Sequence, residues 1–537
     1  MVKTILIIFS VLVLSSIGVW PLFHPGLHPT HDGEYHVVRF YEFDTVLRSG
    51  VLYPRWAPDF NMGYGIPLFN FVYPLPNYVA SLLHFLGLSF IDAFKANLVI
   101  ATVFGAVCMY LWSKDFWGKL GGLVSSVFYS FAPYRFVDIY IRGSVGEVWS
   151  LAFLPFVLWA VTNVIRKNDL RFLPLVSIAI AFLVFSHNIL ALLFFGFAFM
   201  YMLFLCHIYK KYQYINHLIL SFVFGLGLSA VFWLPALVEK QYVRGLEVFT
   251  VDRHFVELYQ LLIPSWGSGF SGEIGQGLSF QIGVLNIFVV ILSLSMLFVW
   301  RKQKTKRKLL VFFLLSFFVL VFLMLPVSRN VWEFIPLMTY FQFPWRLLSL
   351  VILICSFLAG IIGKFKYRYV LATCVVFGSI LVTHSYTQPA YYHYRDDNHY
   401  LSRSNFIHGT NSPGDVFNTI WFQQKKIPSY EKFTLQNQGT LKNVIIEPTR
   451  YQATVDLKDA STFLIHTAFF PGWRIEYLGK NFKLHPNDMG TMTHTLPQGT
   501  YSFEVYFADT MIRHISVVVS MASVFGTFVI WFKTRKI

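Results

Sequence analysis

The feature that most constrains this chain is the regular alternation of long apolar runs with short basic clusters. The hydrocarbon core of a bilayer is about 30 Å thick and takes roughly 20 apolar residues of helix to cross. Segments of that kind stand at 4–23, 92–112, 119–135, 147–165, 172–187, 189–208, 216–237, 278–300, 309–326, 345–363, 369–385 and 513–533. With these spans, every basic cluster falls on the side of Lys3: Lys114 with Lys119, Arg166-Lys167 with Arg171, Lys210-Lys211, the run Arg301 to Lys308, Lys364 with Lys366 and Arg368, and Lys533 to Lys536. The positive-inside rule makes that side cytoplasmic and predicts a multi-pass cell-membrane protein with both termini inside.

One segment tests the scheme. Asn77–Leu88 is apolar enough to be counted, and counting it would throw every later cluster outside. It is short and follows Pro74 and Pro76, which suits a helix lying on the outer face rather than a crossing. The first segment imitates a signal peptide, but no A-x-A-like site follows it, so it is read as an uncleaved helix.

Composition agrees with a lipid environment: 55% of residues are hydrophobic and 13% charged, which excludes an ordinary soluble domain. The excess of 43 Lys and Arg over 27 Asp and Glu sits at the ends of apolar runs, so it reports orientation and not a nucleic-acid partner. Cys108, Cys206, Cys355 and Cys374 lie inside apolar segments without CxxC spacing and read as packing residues.

Three regions are then extracytoplasmic: His24–Asn70, Glu239–Gly277 and Tyr386–Arg513. The last turns polar and strand-like, alternating in Tyr451-Gln452-Ala453-Thr454-Val455 and in Tyr501 to Phe507, with turn signals at Pro471-Gly472 and Gln498-Gly499. A small antiparallel β-domain is predicted there. The chain therefore divides into a mainly α transmembrane core of about 12 helices at 1–385 with outer loops 24–91 and 238–277, an extracytoplasmic β-rich domain at 386–512, and a final helix with a basic tail at 513–537.

Polar residues at the outer membrane face are informative, because a charge near hydrocarbon is costly. His31-Asp32-Gly33-Glu34-Tyr35-His36 opens an amphipathic stretch that runs through Arg39, Glu42 and Arg48. Asp32 or Glu34 could take a proton from an attacking hydroxyl, or Asp32 could merely cap the helix. The same four acidic and imidazole groups leave a divalent metal open as a cofactor, although nothing in their spacing forces them onto one face. Arg142-Gly143-Ser144-Val145-Gly146-Glu147 offers either a phosphate clamp or an interfacial ion pair. Ser186-His187-Asn188 is a tight outer turn whose geometry does not ask for His187. Gln342-Phe343-Pro344-Trp345-Arg346 opens another span and doubles as an interfacial anchor. Between them, Trp266 lies among Gly267, Gly269, Gly272, Gly275 and Gly277, after Asp252, Arg253 and His254, in a loop that is either a lid or a plain connector.

The order of these features resembles the GT-C superfamily of integral-membrane glycosyltransferases, with Asp32 and Glu34 where the acidic motif of the first outer loop would stand. More narrowly, Asp32-Gly33-Glu34-Tyr35-His36, Tyr73-Pro74-Leu75-Pro76, Ala132-Pro133-Tyr134-Arg135, Arg142 to Glu147 and Phe343-Pro344-Trp345-Arg346 are similar to the bacterial membrane family labelled "6-pyruvoyl-tetrahydropterin synthase-related". A soluble zinc-dependent pterin enzyme has neither these spans nor this topology, so the label does not carry its activity. Phe469 to Arg474 and Leu496 to Tyr501 resemble the outer β-domain of YfhO-type membrane proteins.

The resemblance implies inverting transfer of a sugar from a polyprenyl-phosphate carrier to an envelope glycan, lipid or protein on the outer face. Asp32 or Glu34 would act as base. Arg142 and Arg346 would hold the phosphate, with His31, His36, Glu147, His187 and Gln342 lining the substrate. Two other functions compete: a flippase or transporter of lipid-linked saccharide, which needs charge within its spans and often shows matching halves, and a non-catalytic envelope scaffold.

Overall fold

The computed structural model describes residues 2–245, 251–271, 277–407, 415–423 and 431–535. Gly272 and Gly275 of the glycine-rich loop, and the side chain of Asp252, lie outside that description.

Each predicted span contains a helix, although in 278–300 residues 278–283 are extended and the helix is Val284–Val299. Among the described residues, seven helices are long and apolar enough to cross a membrane, and the bent pair Tyr212–Leu228 and Ala230–Tyr242, angled by 67°, makes an eighth if it is one span. Ile5–Ile17, Leu170–Ser186 and Val284–Val299 are shorter apolar helices.

The longest helix, Phe90–Ser130, contains a single non-helical residue, Gly118, at φ 81° and ψ 176°. Its two arms run back along each other: Ser126 Oγ donates to the Ala106 carbonyl at 2.8 Å, and a Cβ on Gly122 would touch Lys114 and Tyr110. It is therefore a helical hairpin turned at Gly118, between Lys114 and Lys119, and it holds two of the expected spans. Only a residue without a Cβ adopts that φ cheaply.

Leu75–Phe85 forms a separate helix of 11 residues, roughly half the length that a bilayer requires. Leu82, Phe85 and Leu86 stay exposed on it, as an outer helix resting on a membrane would present them.

The strands occupy Phe433–Phe507 and form two antiparallel sheets, one of four strands in the order β1-β4-β8-β7 and one of five in the order β2-β3-β9-β5-β6. They run β1 Phe433–Leu435, β2 Gly439–Glu447, β3 Arg450–Leu457, β4 Ser461–Ala468, β5 Trp473–Tyr477, β6 Lys480–Lys483, β7 His485–Pro486, β8 Thr491–Leu496 and β9 Gly499–Phe507. Alternate residues of β3, Tyr451, Ala453, Val455 and Leu457, face a core shared with Phe463, Trp473 and Phe503, the period-2 burial expected of a sheet with one wet face.

This core extends into the segment that follows the Gly33–Arg48 helix. Trp56 is fully buried against Trp473, with ring centroids 5.4 Å apart. Gly65 leaves room for that indole, since a Cβ there would lie 2.5 Å from Trp56 Nε1. A buried polar chain reinforces the seam. Arg55 donates to Asn70 at 2.9 Å, Asn70 donates to Glu239 at 2.8 Å, and Arg513 pairs with Glu239 at 3.1 Å. The β-domain, the segments Arg55–Asn70 and Glu239–Tyr242 and the start of the last helix are thereby held as one body.

Candidate functional site

Glu147 organises the centre. It sits in the first turn of the Val145–Lys167 helix, fully buried. Its carboxylate accepts two bonds from Arg142, at 2.6 and 2.8 Å. It also accepts one from Arg346 Nε at 3.0 Å and one from the Tyr134 hydroxyl at 3.1 Å. Arg142 further pairs with Asp138 at 2.6 Å, and Arg346 donates to Gln342 Oε1 at 2.5 Å and to the Phe341 carbonyl at 3.1 Å. The indole of Trp345 lies 4.9 Å from the Arg142 guanidinium. Two cations and two carboxylates thus form a wall of paired charges, the arrangement that buried ions require, with Asp138 Oδ2 left without a hydrogen-bond partner among the described residues.

Local backbone geometry builds this wall. Val137–Arg142 is a π-helix that ends on Gly143 in the left-handed region at φ 65°; π-turns of this kind are frequent at functional sites. Gly143 packs on Thr30, where a Cβ would come within 2.5 Å of Thr30 Oγ1. Gln342 has φ 63° in a tight turn closed by the Phe343 amide on the Phe341 carbonyl at 2.6 Å. A non-glycine residue held at that φ marks strain that its surroundings maintain, and here it aims the Gln342 amide at Arg346.

The segment after the first helix is clipped directly onto this wall. The His31 amide donates to the Ile141 carbonyl and the Asp32 amide to the Arg142 carbonyl, both at 2.9 Å. Asp32 is the N-cap residue of the Gly33–Arg48 helix, yet its side chain makes no cap bond; Thr30 Oγ1 accepts from Gly33 N instead, at 2.9 Å. Among the described residues, no hydrogen bond or ion pair holds the Asp32 carboxylate. Capping therefore does not account for it.

The other members of the first motif diverge. His31 Nε2 lies 2.8 Å from the Ser268 carbonyl and its ring stacks on Phe270 at 4.2 Å, so the glycine-rich loop rests on the mouth of the site. Glu34 pairs with Arg403 at 3.5 Å. His36 points inward and is buried with its ring stacked on Phe94 at 6.0 Å. Burial lowers its imidazole to about 3, helped by the nearby Arg39 and His187 charges, so it stands neutral at physiological pH. With these four directions no metal-sized cluster forms: among the described residues, no group of three or more His, Cys, Asp and Glu converges.

His187 joins the cluster from the turn between two helices. Its Nδ1 accepts from Leu190 N at 3.3 Å, capping the Asn188–Tyr209 helix, and its ring stacks on Tyr73 at 4.9 Å.

Tyr73, Arg39 and Asp138 were not among the residues expected from sequence. Tyr73 packs on the start of the Glu147 helix, where a Cβ on Gly146 would come within 2.4 Å of its ring. Burial lifts its phenol to about 12; the charges bearing on it are Arg39, Asp32, Glu147 and Arg142. Only the Tyr-Pro-Leu-Pro run marked it in the sequence, and that reads as helix punctuation. Asp138 carried a signal in its i,i+4 spacing to Arg142. The neighbouring Arg135 is buried with its guanidinium 4.8 Å from the Tyr129 ring.

Solved structures of low similarity include arabinofuranosyltransferase AftD from Mycobacteria, with TM-score 0.42 and 14% identity over 70% of this chain and 26% of that one. Another is the apo oligosaccharyltransferase of Archaeoglobus fulgidus, with TM-score 0.40 and 13% identity over 76% and 56%. An uncharacterized protein of Lactococcus lactis subsp. cremoris (strain MG1363) is 24% identical over 236 residues, which are 42% of this chain and 38% of that protein. The family model described as 6-pyruvoyl-tetrahydropterin synthase related domain, membrane protein, matches residues 69–392. That stretch is more than half of the chain and holds Tyr73, Arg142, Glu147, His187, Gln342 and Arg346, and the chain belongs to this membrane-protein family.

Proposed function

We propose that this protein is an inverting glycosyltransferase with a GT-C-like core. In this reading it moves a sugar from a polyprenyl-phosphate carrier to an acceptor hydroxyl on the extracytoplasmic face. The observation that carries it is the Asp32 carboxylate, uncommitted to its own helix and clipped by its backbone to the Arg142 carbonyl.

In the transfer, the acceptor oxygen attacks the anomeric carbon while its proton passes to Asp32. The bond from that carbon to the phosphate oxygen breaks, and the electron pair leaves with the carrier phosphate. Asp32 suits the role of base better than Glu34, because Arg403 engages Glu34. The leaving phosphate needs fixed positive partners rather than an acid, and the Arg142–Glu147–Arg346 wall, with His36, His187 and Gln342 around it, would give that end of the cavity its shape and field. His31, under Ser268, would line the entrance. The acceptor would be an envelope glycan, lipid or protein.

A strain lacking the protein, analysed by mass spectrometry of its lipid-linked sugars, tests this. Loss of a transferase leaves the sugar-charged carrier accumulating in the outer leaflet and an envelope component short of that sugar. Accumulation confined to the inner leaflet would favour a flippase instead, and an unchanged lipid and envelope profile would contradict both.

A further inference from the structure

The five-stranded sheet of the β-domain buries one face and leaves the other open. In register across its strands, Ile445, Gln452, Glu504, Glu476 and Asn481 share that open face. Thr454 and Ser502 stand side by side in the next row. A cleft of about 470 Å³ lies over the middle of these rows, a volume in the range of small-ligand sites. It runs from β2 to β5, three strand spacings or roughly 14 Å.

Backbone irregularities build both walls. On one side β2 is bulged between Lys442 and Ile445, with Asn443 at φ 51°; such bulges re-aim side chains, and Ile445 stands 54% exposed there. On the other side Leu478 and Gly479, at φ 50° and 70°, turn β5 into β6, the left-handed pair that a tight hairpin uses. Leu478 is 64% exposed. The floor between these apolar walls is polar. Gln452 donates to Glu504 at 2.9 Å, Arg450 pairs with Glu504 at 3.1 Å, and the Thr454 and Ser502 hydroxyls bond each other at 3.1 Å. Glu476 lies directly across from Glu504 on the neighbouring strand, and among the described residues its carboxylate has no hydrogen bond or ion pair. Like charges facing each other across strands are destabilising, so Glu476 works against the sheet that carries it.

These features select a ligand class. An anion would meet two carboxylates on the floor, with the Arg450 guanidinium already held by Glu504. A wholly apolar ligand would strip water from the hydroxyl, amide and carboxylate groups of the floor and give nothing back. A sugar chain suits both surfaces. Its hydroxyls donate to Glu476 and exchange bonds with Gln452, Thr454 and Ser502, while its C–H faces lie on Ile445 and Leu478. We propose that this cleft binds an uncharged oligosaccharide, with Glu476 as its principal hydroxyl acceptor. The proposal concerns binding on the β-domain and does not depend on the transferase reading.

The test uses the full chain in immobilised nanodiscs, with no sugar donor present. The probes are oligosaccharides released from the envelope of the strain that encodes the protein, divided by ion exchange into an uncharged and an acidic pool. Wild type should retain components of the uncharged pool, read by mass spectrometry, and let the acidic pool pass. Ser502→Trp fills the cleft from an exposed position and should weaken that binding by about tenfold or more. Glu476→Gln keeps the shape and removes the charge, and should weaken it several-fold. Lys458→Trp, exposed in the turn between β3 and β4, should bind as wild type does. If Ser502→Trp does not fold, Glu476→Gln decides: weakening of at least about threefold supports the proposal, and wild-type binding overturns it. No retention of the uncharged pool by wild type, preferential retention of the acidic pool, or an equal loss in Lys458→Trp would each overturn it as well. Because no donor is present, any of these failures leaves the transferase reading standing.

Discussion

Replacing Glu147 with Gln removes the charge at the centre of the site while keeping its shape. The wild-type carboxylate accepts three bonds from guanidinium groups, at 2.6, 2.8 and 3.0 Å. Hydrogen bonds to charged groups are worth roughly 1.5–3 kcal/mol each. Adding three of them overcounts, because the partners act as one unit. Removing one member of a buried ion pair costs about 3–5 kcal/mol, largely as the penalty of leaving the other charge buried. Arg142 retains Asp138 and Arg346 retains Gln342, which places Glu147→Gln near the lower end, about 3 kcal/mol. The Gln amide would also turn N–H groups toward guanidinium donors. Reversible unfolding in mixed micelles, followed by tryptophan fluorescence, measures the loss. The double variant Glu147→Met with Arg346→Met should lose less than the sum of its singles, since it removes the stranded charge together with its partner. A loss below about 1 kcal/mol for Glu147→Gln, the range of exposed pairs, would refute the picture of Glu147 as the buried keystone.

Other outcomes follow from the same geometry. Gly146→Ala drives a methyl into the Tyr73 ring and toward the Ser186 carbonyl, at 2.4 and 2.7 Å; a loss of about 1–3 kcal/mol is expected from overpacking, read in the same unfolding assay, and unchanged stability would show that Tyr73 can move aside. Glu42, buried beside Asp59 and facing Lys432 of the β-domain, has its carboxyl raised well above 4.5 by that burial. Its stabilising contribution is complete below its unfolded pKa and is lost as pH rises through the raised folded value. The thermal midpoint of wild type, taken relative to that of Glu42→Gln, should therefore fall as pH rises from 4.5, and a relative midpoint that rises instead would contradict the assignment. Sidedness is best read at Leu52, which is 83% exposed on the first outer loop, rather than at the buried Ser144. In a background lacking the exposed Cys374, a cysteine at 52 should react with an impermeant maleimide on intact cells and one at Lys302 should not; the reverse pattern would invert the proposed topology.

The helical frame was legible because lipid imposes one dominant requirement, apolar length. Even the hairpin at Gly118 was marked, by Lys114 and Lys119 interrupting an apolar run. The short helix before Leu88 was distinguishable from a full span by length alone. Adjacent partners in the site were also visible, since Arg142 and Glu147 are five residues apart. Long-range closure was not: nothing near Arg346 announces that it meets Glu147 199 positions earlier, or that Trp56 fills the β-domain core against Trp473. Those contacts depend on how the helices pack, and periodicity carries no record of it. Tyr73 was missed for a related reason, because a tyrosine before a proline gives no sign of the charges that will surround it.

The central claim, that the first outer loop carries the base of an extracytoplasmic sugar transfer, is tested most directly by Asp32→Asn assayed with the lipid-linked donor that accumulates in the deletion strain. The variant keeps the backbone bond to the Arg142 carbonyl and the wild-type fold, so it should insert and bind donor normally while transfer falls by a factor of about 100 or more. Transfer at the wild-type rate by correctly inserted Asp32→Asn protein would contradict the account.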